Sequence, residues 1–281
     1  MIEHIFLVGC PRSGTTLLQS MLAAHPQVMS FPETHLFRSV IPNQLIAARW
    51  GIASRRAYSR LAAYLDAIDR ADMRTRLPKR SLLARQYISA FVGILDELTL
   101  EKGRRIWVEK TPKHVQYVDQ IVATVERPRF LHILRDGRDV VASLYQVTHE
   151  YPEEWSGERS IDQCIERWRH DVAISLAYRN DPNHLLVSYE QLIAEPAASL
   201  DQICRFMGID FEHEMVSCFS RAAGDLVLGS EAWKSDNLGG LSTRNTSKLT
   251  TVFTPDQQAY IRVRIAEIAD TLQGWGPEPH I

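Results

Sequence analysis

Three cations and one run of small residues carry most of the chemistry legible in this sequence. Gly9-Cys10-Pro11-Arg12-Ser13-Gly14-Thr15-Thr16 follows the apolar run Ile5-Phe6-Leu7-Val8 and precedes a segment of helical spacing. Two glycines bracketing four residues between strand and helix turn successive backbone N–H groups toward one point, where the positive end of the helix also lies. Such a loop cradles a phosphate-like anion. The lysine that a nucleoside-triphosphate loop carries before its final hydroxyl residue is absent; Thr15 stands there, and Arg12 supplies a cation from inside the loop. A second cation, Arg135, leaves another apolar run, and Ser143 lies two turns into the helix that follows, so both can reach one anion. Lys110, the third, follows a further strand and sits at the same carboxyl edge of the sheet. Arg138 points away from Arg135 and reads as a salt-bridge partner.

These residues carry a resemblance. Pro11, Arg12, Ser13, Gly14, Thr15 and Thr16 together resemble the 5′-phosphosulfate loop of sulfotransferases that use 3′-phosphoadenosine 5′-phosphosulfate (PAPS). Leu134-Arg135-Asp136-Gly137-Arg138-Asp139-Val140-Val141-Ala142-Ser143 is similar to that family's 3′-phosphate segment, which implies that Arg135 and Ser143 hold the 3′-phosphate. Glu109-Lys110-Thr111-Pro112 resembles the lysine-bearing stretch of the tyrosylprotein-type branch and its bacterial relatives. More loosely, 185–189 resembles an element that puts Tyr189 near the nucleotide. Arg244, Ser247 and Lys248 fall where relatives close a basic segment over the 3′-phosphate. The resemblance is firm over 5–35 and 107–145 and loose over 185–196. It implies PAPS as co-substrate, adenosine 3′,5′-bisphosphate as product and a hydroxyl-bearing acceptor; no metal is expected, because the sulfonate carries one charge and backbone, Arg12, Arg135 and Ser143 hold the phosphates.

Sulfonate transfer to a hydroxyl needs a base for the proton and cations for the charge on the transferred and departing groups. Arg12 and Lys110 can do the second task. For the first, Glu33 follows a short Val28-Met29 strand that returns it to the sheet edge, and the tyrosylprotein-type resemblance points to the same residue. A carboxylate base is expected to need an apolar wall, for which Phe31 and Phe37 are available. His114 and His35 are the rival bases. His132, within an apolar strand, reads as a core histidine.

Positioning these groups requires an alternation of strands and helices. Beyond 5–8, strands are expected at 105–108, 130–134 and 184–188, with helices at 13–24, 113–125, 139–148 and 161–178. That order predicts an α/β fold: a P-loop-type doubly wound parallel sheet with helices on both faces. It is expected as one domain over 1–281, with a helical insertion at 40–100 and a candidate lid loop at 221–250. Thr254-Pro255-Asp256-Gln257 predicts a capped helix start.

The composition narrows the partners. Lys and Arg number 32 against 34 Asp and Glu, for a net charge of −2, which argues against a general nucleic-acid or anionic-membrane binder. The 4 cysteines lack C-x-x-C spacing and read as free thiols. The N-terminus lacks the basic start of a signal peptide, and no apolar run approaches bilayer length, so no integral membrane segment and a cytosolic location are expected. Acceptor class and oligomeric state stay open. The competing functions are a P-loop kinase or NTPase, which would need the missing lysine, and a nucleotide-binding interaction module without turnover.

Overall fold

Five short apolar runs pair side by side, all in parallel: β1 (Glu3–Gly9), β2 (Val28–Phe31), β3 (Ile106–Lys110), β4 (Arg129–Leu134) and β5 (His184–Ser188). The computed structural model describes residues 2–224 and 248–273. The strand order is β2-β3-β1-β4-β5. Register sets Leu7 beside Lys110, Phe31 beside Glu109 and Gly9 beside Ile133, so all five strands end at one edge. The chain leaves β1 toward β2 and leaves β4 toward β5, and β1 and β4 are neighbours. The crevice outside their carboxyl ends is therefore the switch point, where ligands of such sheets bind.

Both faces of the sheet are buried, because strand residues alternate in direction. Ile5 and Leu7 pack with Leu18, Met21 and Leu22 of the helix Thr15–Ala23 on one face. Phe6 and Val8 point the other way, into a cluster with Leu61, Leu65, Phe91 and Leu95. A third cluster joins Leu134 and Leu186 to Trp168 and to Val140, Val141 and Leu144. The doubly wound expectation therefore holds, and the chain's parallel sheet matches the predicted class.

Within 36–101 the expected helical region is broken. It contains the helices Leu36–Val40, Leu45–Arg49, Ala57–Ala67 and Ala84–Glu101, a 3-10 turn at Ala71–Arg76, and an antiparallel bridge between Ile52 and Leu83. Of these, the helix Ala84–Glu101 is anchored to the sheet by Asp96, whose Oδ1 accepts from Trp107 Nε1 at 2.8 Å and lies 3.1 Å from His4 Nε2. The helix expected over 113–125 is instead a 3-10 turn, Pro112–Tyr117, followed by Val118–Thr124. Pro112 opens that turn and His114 N–H closes it onto Thr111 O at 2.8 Å, an i to i+3 bond. Thr254 and Gln257 form the predicted capping box ahead of the helix Pro255–Gln273. Most of the candidate lid, with Arg244 and Ser247, lies outside the described residues. None of the described helices is long and apolar enough to cross a membrane.

Candidate functional site

The loop after β1 folds tightly because two of its glycines have no room for a side chain. Gly9 has φ +151°, and a Cβ there would lie 2.6 Å from Ile133 O. Gly14 has φ +94°, and a Cβ would meet the Tyr189 ring at 2.3 Å. Arg12 itself adopts φ 73°, a left-handed backbone uncommon for a side-chain-bearing residue. The helix therefore begins at Thr15 rather than Ser13. No side chain caps its N-terminus, and its first turn holds no acid, so its leading N–H groups face the loop.

Two cations converge on that loop. Arg12 Nε donates to Ser143 Oγ at 3.0 Å. Arg135 Nη1 donates to Arg12 O at 3.4 Å, and its Nη2 reaches Asp139 Oδ2 at 3.3 Å. The Arg135 guanidinium lies 4.3 Å from the Tyr189 ring centroid, so Tyr189 is sandwiched between this cation and Gly14. Trp168 Nε1 fixes the Arg135 backbone by donating to its carbonyl at 3.1 Å. Two buried polar atoms here have no partner among the described residues: Ser13 Oγ and Arg135 Nε. A buried donor left unpaired is costly, and an anion seated in the loop would satisfy both. The residues present thus fit a phosphate-bearing ligand. Arg138 pairs with Asp136, as expected, and the Asp136 side chain caps the helix Gly137–Glu150. Burial would raise the Asp136 carboxyl, but Arg138 overcomes it and holds the group below its usual range. Lys248 begins the short helix Lys248–Val252, whose Leu249 packs into the cluster beside Val140 and Leu144.

On the β3 side, Lys110 Nζ and Glu33 Oε1 are 2.6 Å apart, with side-chain exposures of 1% and 13%. Glu33 is thus paired with an ammonium. Phe31 and Phe37, the expected apolar wall, are both buried in the core cluster. The imidazole of His35 lies beside it, with Nε2 3.8 Å from Glu33 Oε2. Burial pushes the His35 ring below its usual value, against the pull of Glu33.

His114 does not reach the site. It is fully buried, its Nδ1 lies 2.8 Å from Glu109 Oε2, and its Nε2 accepts from Phe37 N–H at 3.4 Å. Both ring nitrogens are committed, which removes it as a rival base. His132 is likewise a core residue, bonded to Ser175 and His184. Glu109 has no role in the sequence reading beyond its place in the Lys110 stretch, although an acid inside an apolar strand must find partners. Its buried carboxylate accepts from Thr34 N–H (3.3 Å), Thr34 Oγ1 (2.7 Å) and Thr111 Oγ1 (2.5 Å) as well as His114. Burial would raise its carboxyl, yet the His114 ring and the two hydroxyls hold it below the usual range. It clamps the residues immediately after Glu33 and Lys110.

An anion cradle at the switch point of a parallel sheet, with an acid–lysine pair beside it, defines an α/β protein of the phosphate-loop class. The sequence profile of the Sulfotransferase family matches residues 4–213, and the chain belongs to that family. It is 24% identical over 240 residues to protein-tyrosine sulfotransferase A of Caenorhabditis elegans, covering 83% of this chain and 57% of that protein. It is 25% identical to the protein-tyrosine sulfotransferase of Drosophila melanogaster, covering 73% and 38%. The chain thus spans about half the length of the curated relatives it matches. Its fold is similar to the sulfotransferase domain from the Synechococcus PCC 7002 olefin synthase, with TM-score 0.67, 21% identity and coverage of 98% and 96%. A mouse sulfotransferase complexed with PAP has TM-score 0.57 and 15% identity, with coverage of 98% and 89%.

Proposed function

We propose that this chain transfers a sulfonate group from PAPS to a hydroxyl of an acceptor, releasing adenosine 3′,5′-bisphosphate. The observation that carries the reading is the convergence of Ser143 and Arg135 on the loop that bears Arg12, where Ser13 Oγ and Arg135 Nε lack partners among the described residues. Membership of the family and the names of its relatives support sulfonate transfer. The PAP complex of a similar fold supports the nucleotide.

In this reading Pro11, Arg12, Ser13, Gly14, Thr15 and Thr16 hold the 5′ side of the donor. Arg135 and Ser143 hold its 3′-phosphate, Tyr189 backs the arginine, and Lys248 approaches from the late segment. When bound, PAPS supplies an electrophilic sulfur and a phosphate leaving group. Glu33 takes the acceptor proton as the new O–S bond forms and the old S–O bond breaks, its electron pair leaving on the bisphosphate. Lys110 orients Glu33 through their ion pair and, with Arg12, offsets charge on the departing oxygen. The chain acts as one domain, with the 40–100 helices on the acceptor side, and it works in the cytosol, where its donor is made.

Calorimetry with adenosine 3′,5′-bisphosphate and with ATP, each with and without Mg²⁺, tests the donor. Tight binding of the bisphosphate that needs no Mg²⁺ is expected. Preference for ATP with Mg²⁺ overturns the reading in favour of a kinase or NTPase. Acceptors are then screened with labelled PAPS, tyrosyl peptides first, given the names of the relatives.

A further inference from the structure

The near-neutral charge of the chain conceals a segregation. Residues 36–90 hold eleven Lys and Arg against three Asp, whereas the rest of the chain holds 21 against 31. Arg70, Arg74 and Arg76 are paired with carboxylates. The other eight cations of this segment are exposed and pair with no carboxylate among the described residues.

Large apolar side chains protrude among them. Leu82 is 80% exposed, Ile46 76% and Trp50 74%. The bridge between Ile52 and Leu83 draws their two segments together, reinforced by Ala53 N–H to Leu82 O and Ala84 N–H to Gly51 O, each 2.8 Å. Arg49 adjoins Trp50, while Lys79, Arg80 and Arg85 flank Leu82 and Leu83. A recess lined by Ile52, Arg38, Arg55 and Arg60 connects the patch to the helix Leu36–Val40, which begins three residues after Glu33.

We propose that this face docks the protein on an anionic lipid surface. Protruding tryptophan and aliphatic tips enter the boundary between headgroups and acyl chains without any need for a matching shape. Arginine and lysine stems lie along that boundary and leave their charges at the anionic headgroups. A folded acidic protein would instead have to supply pockets for three separate tips. The acidic remainder of the chain is repelled by the same surface, which orients the molecule. Docked this way, the Glu33 side of the sheet edge lies next to the membrane through the arginine-lined recess.

Flotation with vesicles of phosphatidylcholine alone, and of phosphatidylcholine mixed with phosphatidylserine, tests this. At least about tenfold more protein floats with the anionic vesicles, and the excess is lost at high salt. The double substitutions Trp50→Ala with Leu82→Ser, and Arg55→Glu with Arg56→Glu, each remove most of the binding, with unfolding temperature and bisphosphate affinity as controls for folding. No preference for anionic vesicles overturns the proposal, as does flotation unchanged in both double variants. Binding to soluble polyglutamate without flotation overturns it in favour of an acidic protein partner.

Discussion

Arg12 Nε donates to Ser143 Oγ at 3.0 Å, and this bond ties the loop after β1 to the helix after β4 across the switch point. The two halves of the anion site are therefore coupled before any ligand arrives. Arg135, stacked on Tyr189 and resting on the Arg12 carbonyl, adds the second charge from the β4 side. Arg135→Ala should weaken adenosine 3′,5′-bisphosphate by about 2 kcal/mol, roughly 30-fold, and barely affect adenosine 5′-monophosphate. Calorimetry with both nucleotides checks the difference. Equal losses for the two would place Arg135 elsewhere.

Glu33→Gln keeps the size of the side chain and removes its basicity. Turnover should fall at least about a hundredfold, with bisphosphate affinity unchanged. Steady-state rates with labelled PAPS, beside a binding isotherm, separate the two quantities. Near-normal turnover would exclude Glu33 as the base.

Glu109→Gln tests positioning rather than chemistry, because Glu109 faces the residues after Glu33 and not the loop cavity. The amide cannot accept from Thr34, Thr111 and His114 as the carboxylate does, so stability should drop by about 1–3 kcal/mol. Turnover should fall about tenfold while the bisphosphate isotherm stays in place, and Glu109→Asp should recover part of it. Denaturant melts and rates on the same preparations check this.

Burial beside His184 pushes the His132 ring down to about 3. The unfolded chain takes up this proton below its ordinary value near 6.5, whereas the folded one does not until far lower pH. Stability should therefore fall as pH drops below about 6.5, by up to about 1.4 kcal/mol per unit for this one group. His184, also lowered by burial, acts in the same direction. In His132→Phe the slope of unfolding free energy between about pH 6.5 and 5 should be shallower by nearly one proton. An unchanged slope would mean that His132 is not buried neutral.

The sheet was legible because each strand is a short apolar run with helix-like sequence around it, and the loop was legible because its two glycines bracket a cation. Lys110 and Arg135 fall at the edge expected of residues at the ends of parallel strands, and Arg12 bonds Ser143 there from the loop after β1. The ion pair of Glu33 with Lys110 was not legible, because strand register, not sequence proximity, brings the end of β3 beside the residues that follow β2. The place of His114 was not legible either: its distance from Lys110 in sequence says nothing of the 3-10 turn that aims its ring at Glu109. The break in the helical region at the Ile52–Leu83 bridge joins residues 31 positions apart, beyond the reach of any local periodicity.

The charge segregation also governs how the molecule behaves in a field. An excess of eight positive charges over residues 36–90 and of ten negative over the remainder gives a chain of net charge −2 two stretches of opposite sign. Near neutral pH and at low ionic strength it will therefore be retained by cation-exchange and anion-exchange resins alike.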